Sequence, residues 1–418
     1  MDIAAYTIDV ARRAKEAART VASLPTAVKD AWLLRSAEEI HAAQENIEEA
    51  NRRDLKAAKA KGLSSALIDR LTLTDKRIGE ITGAVHDIAA LPDPVGEISE
   101  LVSRPSGISV GRMRVPIGVI AIVYESRPNV TVDAAALCMK AGNSVVLRGG
   151  SEAFHTNCAL AAALKRACEQ TGIPQDAIGF IETTDREAVQ ILLTLDKYID
   201  MVVPRGGKPL INLVAEAATM PVLKHYEGNC HVYVDEFADL EKALRICMNA
   251  KVQRPGVCNA AETFLIHAAV ADAFLPRLGE ALIEKGVEIR GCPETRRRIP
   301  QAKEASEKDW DEEYLDLIIA IRVVPSFEEA LDHLARHSSQ HTDAIVTENH
   351  SRAMRFLREV DSSSVMVNAS TRFSDGGQYG LGAEIGISTN KLHARGPVGL
   401  RGLTTQKFVV FGDGQVRE

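Results

Sequence analysis

The feature that most restricts the fold of this chain is an alternation of apolar runs and helical text between residues 117 and 219. IGVIAIVY is followed by VTVDAAALCMKAG, NSVVLR by HTNCALAAALKRACEQTG, AIGFIE by DREAVQILLTL, and YIDMVVP by GGKPLINLVAEAAT. A continuous apolar run is a strand buried on both faces. Strands that each lead into a helix build a parallel sheet covered on both sides. The rhythm pauses over PVLKHYEGNCHVYVD and resumes with ADLEKALRICMNAKVQ, AETFLIHAA, VADAFLPRLGEALIEKG, LDLIIAIRVV, HTDAIVT and SSVMVN. The expectation is an α/β protein with two Rossmann-like parallel-sheet domains.

With 418 residues the chain exceeds what one core can serve. Residues 2–60 read as amphipathic helices, and Thr74 as the N-cap of DKRIGEITGAVHDIAAL. GEISELVSRPSGISVGRMRV, residues 96–115, reads as a polar hairpin that leaves the body. GLTTQKFVVFGDG, residues 402–414, is a lone strand, and that hairpin is its candidate partner. The charged text at 293–314 reads as a surface excursion. The expected division is 1–235 with the hairpin inserted, 236–384 with Cys258, and 385–418 as a return segment and terminal strand.

Composition narrows the function. A net charge of −7 leaves no basic body to track nucleic acid, although local Lys and Arg can still hold a small anion. No apolar run approaches the ~20 residues of a membrane span. MDIAAYTIDVARRAKEAA is an amphipathic helix and not a signal peptide. Seven cysteines without a CxxC spacing point to reduced thiols, hence to the cytoplasm.

The chemical candidates begin with VQRPGVCNAA. Cys138, Cys158, Cys168 and Cys247 lie in apolar helices, Cys230 opens a strand and Cys292 precedes Pro293. Only Cys258 follows a Pro-Gly turn between polar flanks. A nucleophile and a structural thiol are both open readings there. VVPRGGKPL passes from strand to helix through Gly206 and Gly207, bracketed by Arg205 and Lys208, which suits an anion at a helix start. RGGSEA (148–153) repeats the design, and the two turns are expected at neighbouring strand ends. GLGAEIG has the wrong spacing for a dinucleotide turn. His333, His337 and His341 stand four apart but lack an acidic or cysteine ligand nearby, so no metal site is expected.

RPGVCNAAET is similar to the nucleophile segment of the aldehyde dehydrogenase superfamily, and VYESRPNVTVDAAALCMKAGNSVVLRGGSEA resembles its cofactor-binding stretch. YESRPNV, PRGGKPL, HTDAIVT, VNASTRFSDGGQYGLGAEIGIST and KLHARGPVGLRGLTT, in that order, resemble the glutamate-5-semialdehyde dehydrogenases, or γ-glutamyl phosphate reductases. The resemblance covers essentially the whole chain. It implies an NADP-binding domain, a catalytic domain and a β oligomerisation element, with a homodimer or tetramer. The implied reaction, in proline biosynthesis, turns γ-glutamyl phosphate and NADPH into glutamate 5-semialdehyde, NADP and phosphate. An acyl phosphate is labile, so association with glutamate 5-kinase, which would form it, is a further expectation. The alternatives are a hydrolytic or CoA-linked aldehyde dehydrogenase, or a non-catalytic binding protein of the same fold.

The resemblance also assigns roles. Cys258 attacks the acyl carbon, and its N–H and the Asn129 amide serve the oxyanion; a helix N-cap is the other reading of Asn129. Arg148, Gly149, Ser151, Arg205, Gly206, Gly207 and Lys208 belong to the cofactor, and Arg148 suits a 2′-phosphate. Glu313 matches the acid that holds the nicotinamide ribose. Arg254, Asn368, Ser370, Thr371 and Arg372 are the substrate candidates. One departure stands out. Hydrolytic relatives carry a water-activating Glu where this chain has KHYEGNCHV, which puts His225 or Glu227 in its place.

Overall fold

A computed structural model describes residues 2–417. The chain forms two compact units. One holds the sequence up to Lys224, Leu381–Gly386 and the stretch from Val398; the other holds His225–Gly380 and Ile387–Pro397.

The first unit opens with α1 (Ile3–Val21), α2 (Thr26–Ala42), α3 (Gln44–Ala60), α4 (Ser65–Leu71) and α5 (Asp75–Ala90). Thr74 caps α5 by accepting from the Arg77 N–H at 3.3 Å. Two strands follow, β1 (Ile98–Ser103) and β2 (Ser109–Pro116). The α/β rhythm then runs through β3 (Val119–Tyr124), α6 (Asn129–Lys140), β4 (Ser144–Gly149), α7 (Phe154–Thr171), β5 (Ile178–Phe180), α8 (Glu187–Leu192), β6 (Met201–Arg205) and α9 (Lys208–Ala217). The sheet is parallel, in the order β5-β4-β3-β6. Val119, Ala121 and Val123 pack with α1, α8 and α9. Ile120 and Ile122, which point to the other face, are buried as well.

The second unit runs through β7 (Cys230–Val234), α10 (Leu240–Val252), β8 (Ala261–His267), α11 (Ala268–Glu284), β9 (Glu288–Gly291), α12 (Pro293–Arg298), β10 (Lys303–Glu304), β11 (Ile318–Val324), α13 (Phe327–His337), β12 (Thr342–Val346), α14 (His350–Glu359) and β13 (Ser364–Val367). Its seven strands follow the order β10-β9-β11-β8-β7-β12-β13. Period-2 burial is explicit here. Val232, Val234, Phe264, Ile266, Ala344 and Val346 face α10 and α11. Tyr233, Leu265 and Ile345 face α13 and α14.

Two sequence expectations need revision. The unit boundary falls after Lys224 and not after Asp235, because β7 pairs with β8 and β12 and so belongs to the second sheet. Residues 293–314 are not a surface excursion: β10 joins the sheet edge, Thr295 and Trp310 are buried, and the Asn229 amide donates to the Trp310 carbonyl at 2.8 Å.

The last strands are β14 (Gly386–Ser388), β15 (Gly396–Val398) and β16 (Thr404–Phe411). β16 runs antiparallel to β2 along its whole length, from Thr404 opposite Pro116 to Phe411 opposite Ser109. With β1 it completes a three-stranded sheet, as the hairpin reading expects. That sheet exposes Leu101, Val102, Phe408, Val410 and Phe411.

Candidate active site

The second unit concentrates its reactive groups at the amino-terminal edge of its sheet. His225 precedes β7, Cys258 precedes β8 and His341 precedes β12; these three strands are neighbours in the sheet. Their ligand-capable atoms (ring nitrogens and sulfur) lie within 4.8 Å of one another. Cys258 is half-buried at the end of its Pro255-Gly256 turn. The backbone of Gly228 lies directly against it: a Cβ there would sit 1.9 Å from the Cys258 carbonyl oxygen, so only glycine fits. Glu313 accepts from the Gly228 N–H at 2.8 Å, and the Cys230 thiol donates to the Cys258 carbonyl at 3.2 Å. The nucleophile candidate is therefore held chiefly by main chain.

A buried ion pair closes the base of the loop. Lys251 ends α10, Glu262 lies in β8, and Nζ meets Oε2 at 2.5 Å with neither side chain exposed. Burial drives both toward their neutral forms, and Glu262 is raised to about 8. Burial also raises five other thiols: Cys158 to about 11, Cys168 to about 12, Cys138 and Cys247 further, and Cys230 well above the usual thiol range. Packing accounts for those five.

The histidines part ways. α13 ends at His337, and Gln340 turns the chain with φ of 59°. His333 and His337 stack at 4.6 Å between ring centroids, beside Trp310 and His231. His341 instead faces His225, with ring centroids 5.4 Å apart. Burial, with a smaller push from His225, lowers His341 to about 3 and keeps it neutral. The His225 Nδ1 donates to the Ile387 carbonyl at 3.1 Å. The sequence spaces His341 four residues after His337 with the helix expected to end near Ser338, as it does, and it leaves the register of KHYEGN open. In the structure His225 is the group beside the sulfur.

The loop after β13 returns to the same edge. Asn259 donates to the Ser374 carbonyl at 2.8 Å, and the Ser374 hydroxyl bonds Ser364 at the start of β13. Arg372 donates to Gln253 at 2.8 Å. Burial lowers its pKa, the positive charge of Arg254 adds to this, and Asp375 and Cys258 oppose it. Arg254, Arg372 and Cys258 thus share one electrostatic neighbourhood. Ser370 and Thr371 are buried, and the Thr371 hydroxyl has no hydrogen-bond partner. Asn368 is committed elsewhere: its amide bridges the Thr347 N–H and carbonyl, both at 2.9 Å.

In the first unit the glycine turns sit at the carboxyl-terminal strand edge. They are not neighbours, since β3 separates β4 from β6. The β3–α6 loop links them: Glu125 accepts from the Gly207 N–H at 3.2 Å, and Glu152 accepts from the Ser126 hydroxyl at 3.0 Å. A Cβ at Gly206 would meet Glu125, and one at Gly150 would meet Glu152. Ser151 is exposed at the start of a short 3-10 turn (Ser151–Ala153). Arg148 directs its guanidinium to the carbonyls of Gly149, Thr184 and Asp185, and its buried Nε is unpartnered. Arg205 and Lys208 flank the start of α9, where the Gly207 N–H is given to the Glu125 carboxylate. Glu125 and Glu152, absent from the sequence reasoning, are the carboxylates that a ribose hydroxyl could meet. Asn129 is the first residue of α6 and not its cap; its amide donates to Asp133 at 2.8 Å.

Comparison with known proteins fits this arrangement. The model of the aldehyde dehydrogenase family matches residues 4–290. A γ-glutamyl phosphate reductase of Moorella thermoacetica is 56% identical over 418 residues, covering 100% of both chains. The crystal structure of the γ-glutamyl phosphate reductase of Thermotoga maritima is similar with a TM-score of 0.97 at 49% identity, covering 99% of this chain and 100% of that one. The Saccharomyces cerevisiae γ-glutamyl phosphate reductase structure has a TM-score of 0.55 at 33% identity, covering 98% of each chain. By its motifs, its paired parallel sheets and these likenesses, the chain belongs to the aldehyde dehydrogenase family.

Proposed function

We propose that this chain is an NADPH-dependent oxidoreductase that reduces γ-glutamyl phosphate to glutamate 5-semialdehyde with release of phosphate, the reductive step of proline biosynthesis. The full-length identity to a γ-glutamyl phosphate reductase supports the substrate. The observation that carries the chemistry is the imidazole of His225, where a hydrolytic enzyme would need a carboxylate beside Cys258.

In this reading the Cys258 thiolate attacks the acyl carbon, phosphate leaves, and a thioester forms on the sulfur. The Cys258 N–H and the Asn129 amide are given the oxyanion. Arg254 and Arg372 balance the charge of the substrate's phosphate or α-carboxylate, with Ser370 and Thr371 as acceptors; Asn368 positions the loop. Arg148, Gly149, Ser151, Arg205, Gly206, Gly207, Lys208 and Glu313 are assigned to NADP, with the basic groups facing its extra phosphate. The nicotinamide, when bound, supplies the hydride. Without the carboxylate base of the hydrolytic enzymes, water is the poorer acceptor of the acyl group, a base of that kind contributing about 10²–10⁴-fold.

The same reading treats the exposed apolar β1-β2-β16 sheet as the contact that builds a homodimer or tetramer, and glutamate 5-kinase as a partner that could shield the acyl phosphate. Seven cysteines without a CxxC spacing agree with a cytoplasmic setting. Among the described residues no helix is long and apolar enough to cross a membrane.

The test is NADPH formation from glutamate 5-semialdehyde in a non-phosphate buffer, with and without added phosphate. Phosphate dependence, lost in Cys258→Ala, is expected. Comparable steady rates without phosphate, with free glutamate as product, would place the chain with the hydrolytic enzymes.

A further inference from the structure

We propose that His225, Cys258 and His341 bind a borderline-soft divalent cation, zinc being the ion they fit, and that the bound ion caps the nucleophile. The three ligand atoms lie within 4.8 Å of one another, and each residue is fixed just ahead of one of three adjacent strands. The set therefore sits in three loops that lead directly into one sheet.

The second-layer contacts orient the rings as a metal requires. His225 gives its Nδ1 hydrogen to the Ile387 carbonyl, and Nε2 is its remaining ligand atom. In His341 the Nδ1 lies 2.9 Å from the Thr342 hydroxyl. Its Nε2 is fully buried and has no hydrogen-bond partner, an independent sign of a ligand that the protein itself does not supply.

Two imidazoles and a thiolate, with no carboxylate among them, select zinc over magnesium or calcium. Three protein ligands leave a fourth tetrahedral position for water. Binding converts the Cys258 thiol to a metal thiolate: the S–H bond breaks, its proton goes to solvent, an S–Zn bond forms and no electrons are exchanged. The lone pair then held by the metal cannot attack an acyl carbon. Binding rests on geometry alone, whereas the inhibitory consequence rests on Cys258 being the nucleophile.

The test uses the full chain after chelator treatment. Titration with Co²⁺ should give one tetrahedral site per chain with a near-ultraviolet thiolate-to-cobalt band, and Zn²⁺ should displace it. Zinc should also slow alkylation of Cys258 by iodoacetamide and inhibit turnover, with chelator restoring both. Cys258→Ala should remove the band. His225→Ala and His341→Gln should each weaken metal binding by at least about tenfold; the half-buried His225 keeps the test valid if the His341 variant fails to fold. Absence of the band in the unmodified protein, its persistence in Cys258→Ala, or unchanged affinity in the folded histidine variants would overturn the site. A band together with an active Cys258→Ala protein would keep the site and remove the nucleophile reading; a protein whose activity needs Cys258 but shows no band would do the reverse.

Discussion

At the scale of the residue, the His225 imidazole gives its Nδ1 hydrogen to the Ile387 carbonyl, so a basic function beside the thiol falls to Nε2 and not to a carboxylate. Replacing His225 with Glu should put the hydrolytic enzymes' carboxylate base in that place. Phosphate-independent oxidation of the aldehyde is expected to rise by about 10²-fold, read as NADPH formed with glutamate as product. Asp133, which holds the Asn129 amide, gives a second expectation. Burial raises it from 3.8 to about 6, with Asn129 and then Arg205 opposing. The protonated form is thus favoured by folding. Its contribution is fully present below pH about 4 and is lost as pH rises through about 6. The loss is on the order of 2 kcal/mol after allowing for residual solvent contact. Urea unfolding across that range should show the decline, and Asp133→Asn should flatten it.

At the scale of the element, the loop that carries Cys258 leaves α10 and enters β8 through the Lys251–Glu262 pair. Lys251→Met strands a buried carboxylate and should cost about 3 kcal/mol in unfolding free energy, whereas Lys251→Met with Glu262→Leu should recover most of it. An unchanged urea midpoint in the single variant would mean that the pair does not hold the loop. This loop also shows what local sequence can convey. The Pro255-Gly256 turn and the strand after it are short-range signals, so the placement of Cys258 at the end of a turn before β8 is legible in them. The strands were legible too, because runs such as IGVIAIVY allow little else. His225 and His341 were not. Their meeting depends on β8, β7 and β12 being neighbours, an order that no local pattern encodes. The role of Lys251 and Glu262 was hidden for the same reason: a charge in apolar text says nothing of its partner until the chain returns. Residues 293–314 misled because most of their charges do face solvent while Thr295, Asp309 and Trp310 turn inward, Asp309 meeting Arg290 at 2.6 Å.

At the scale of the whole molecule, the β1-β2-β16 sheet has two open edges and shows apolar side chains such as Phe408, over which Arg112 lies at 5.0 Å. Uncovered edges of that kind invite pairing with another chain. Phe408→Asp with Val410→Asp should lower the mass found by light scattering to that of a single chain while leaving the far-ultraviolet circular dichroism unchanged. An unaltered mass would separate this sheet from assembly.

The pairing of β16 with β2 also sets a clock. Arg114 and Thr404, bonded across that seam at 2.9 Å, are 290 positions apart. At roughly 5–20 residues per second on the ribosome, β2 is made about 15–60 s before the strand that covers it. For that interval the nascent chain presents an unpaired edge next to apolar side chains. The vulnerable species is the partly made polypeptide. Ribosome stalling after β2 should leave chains that chaperones capture and proteases clear, whereas chains that have passed Phe411 can shut the seam.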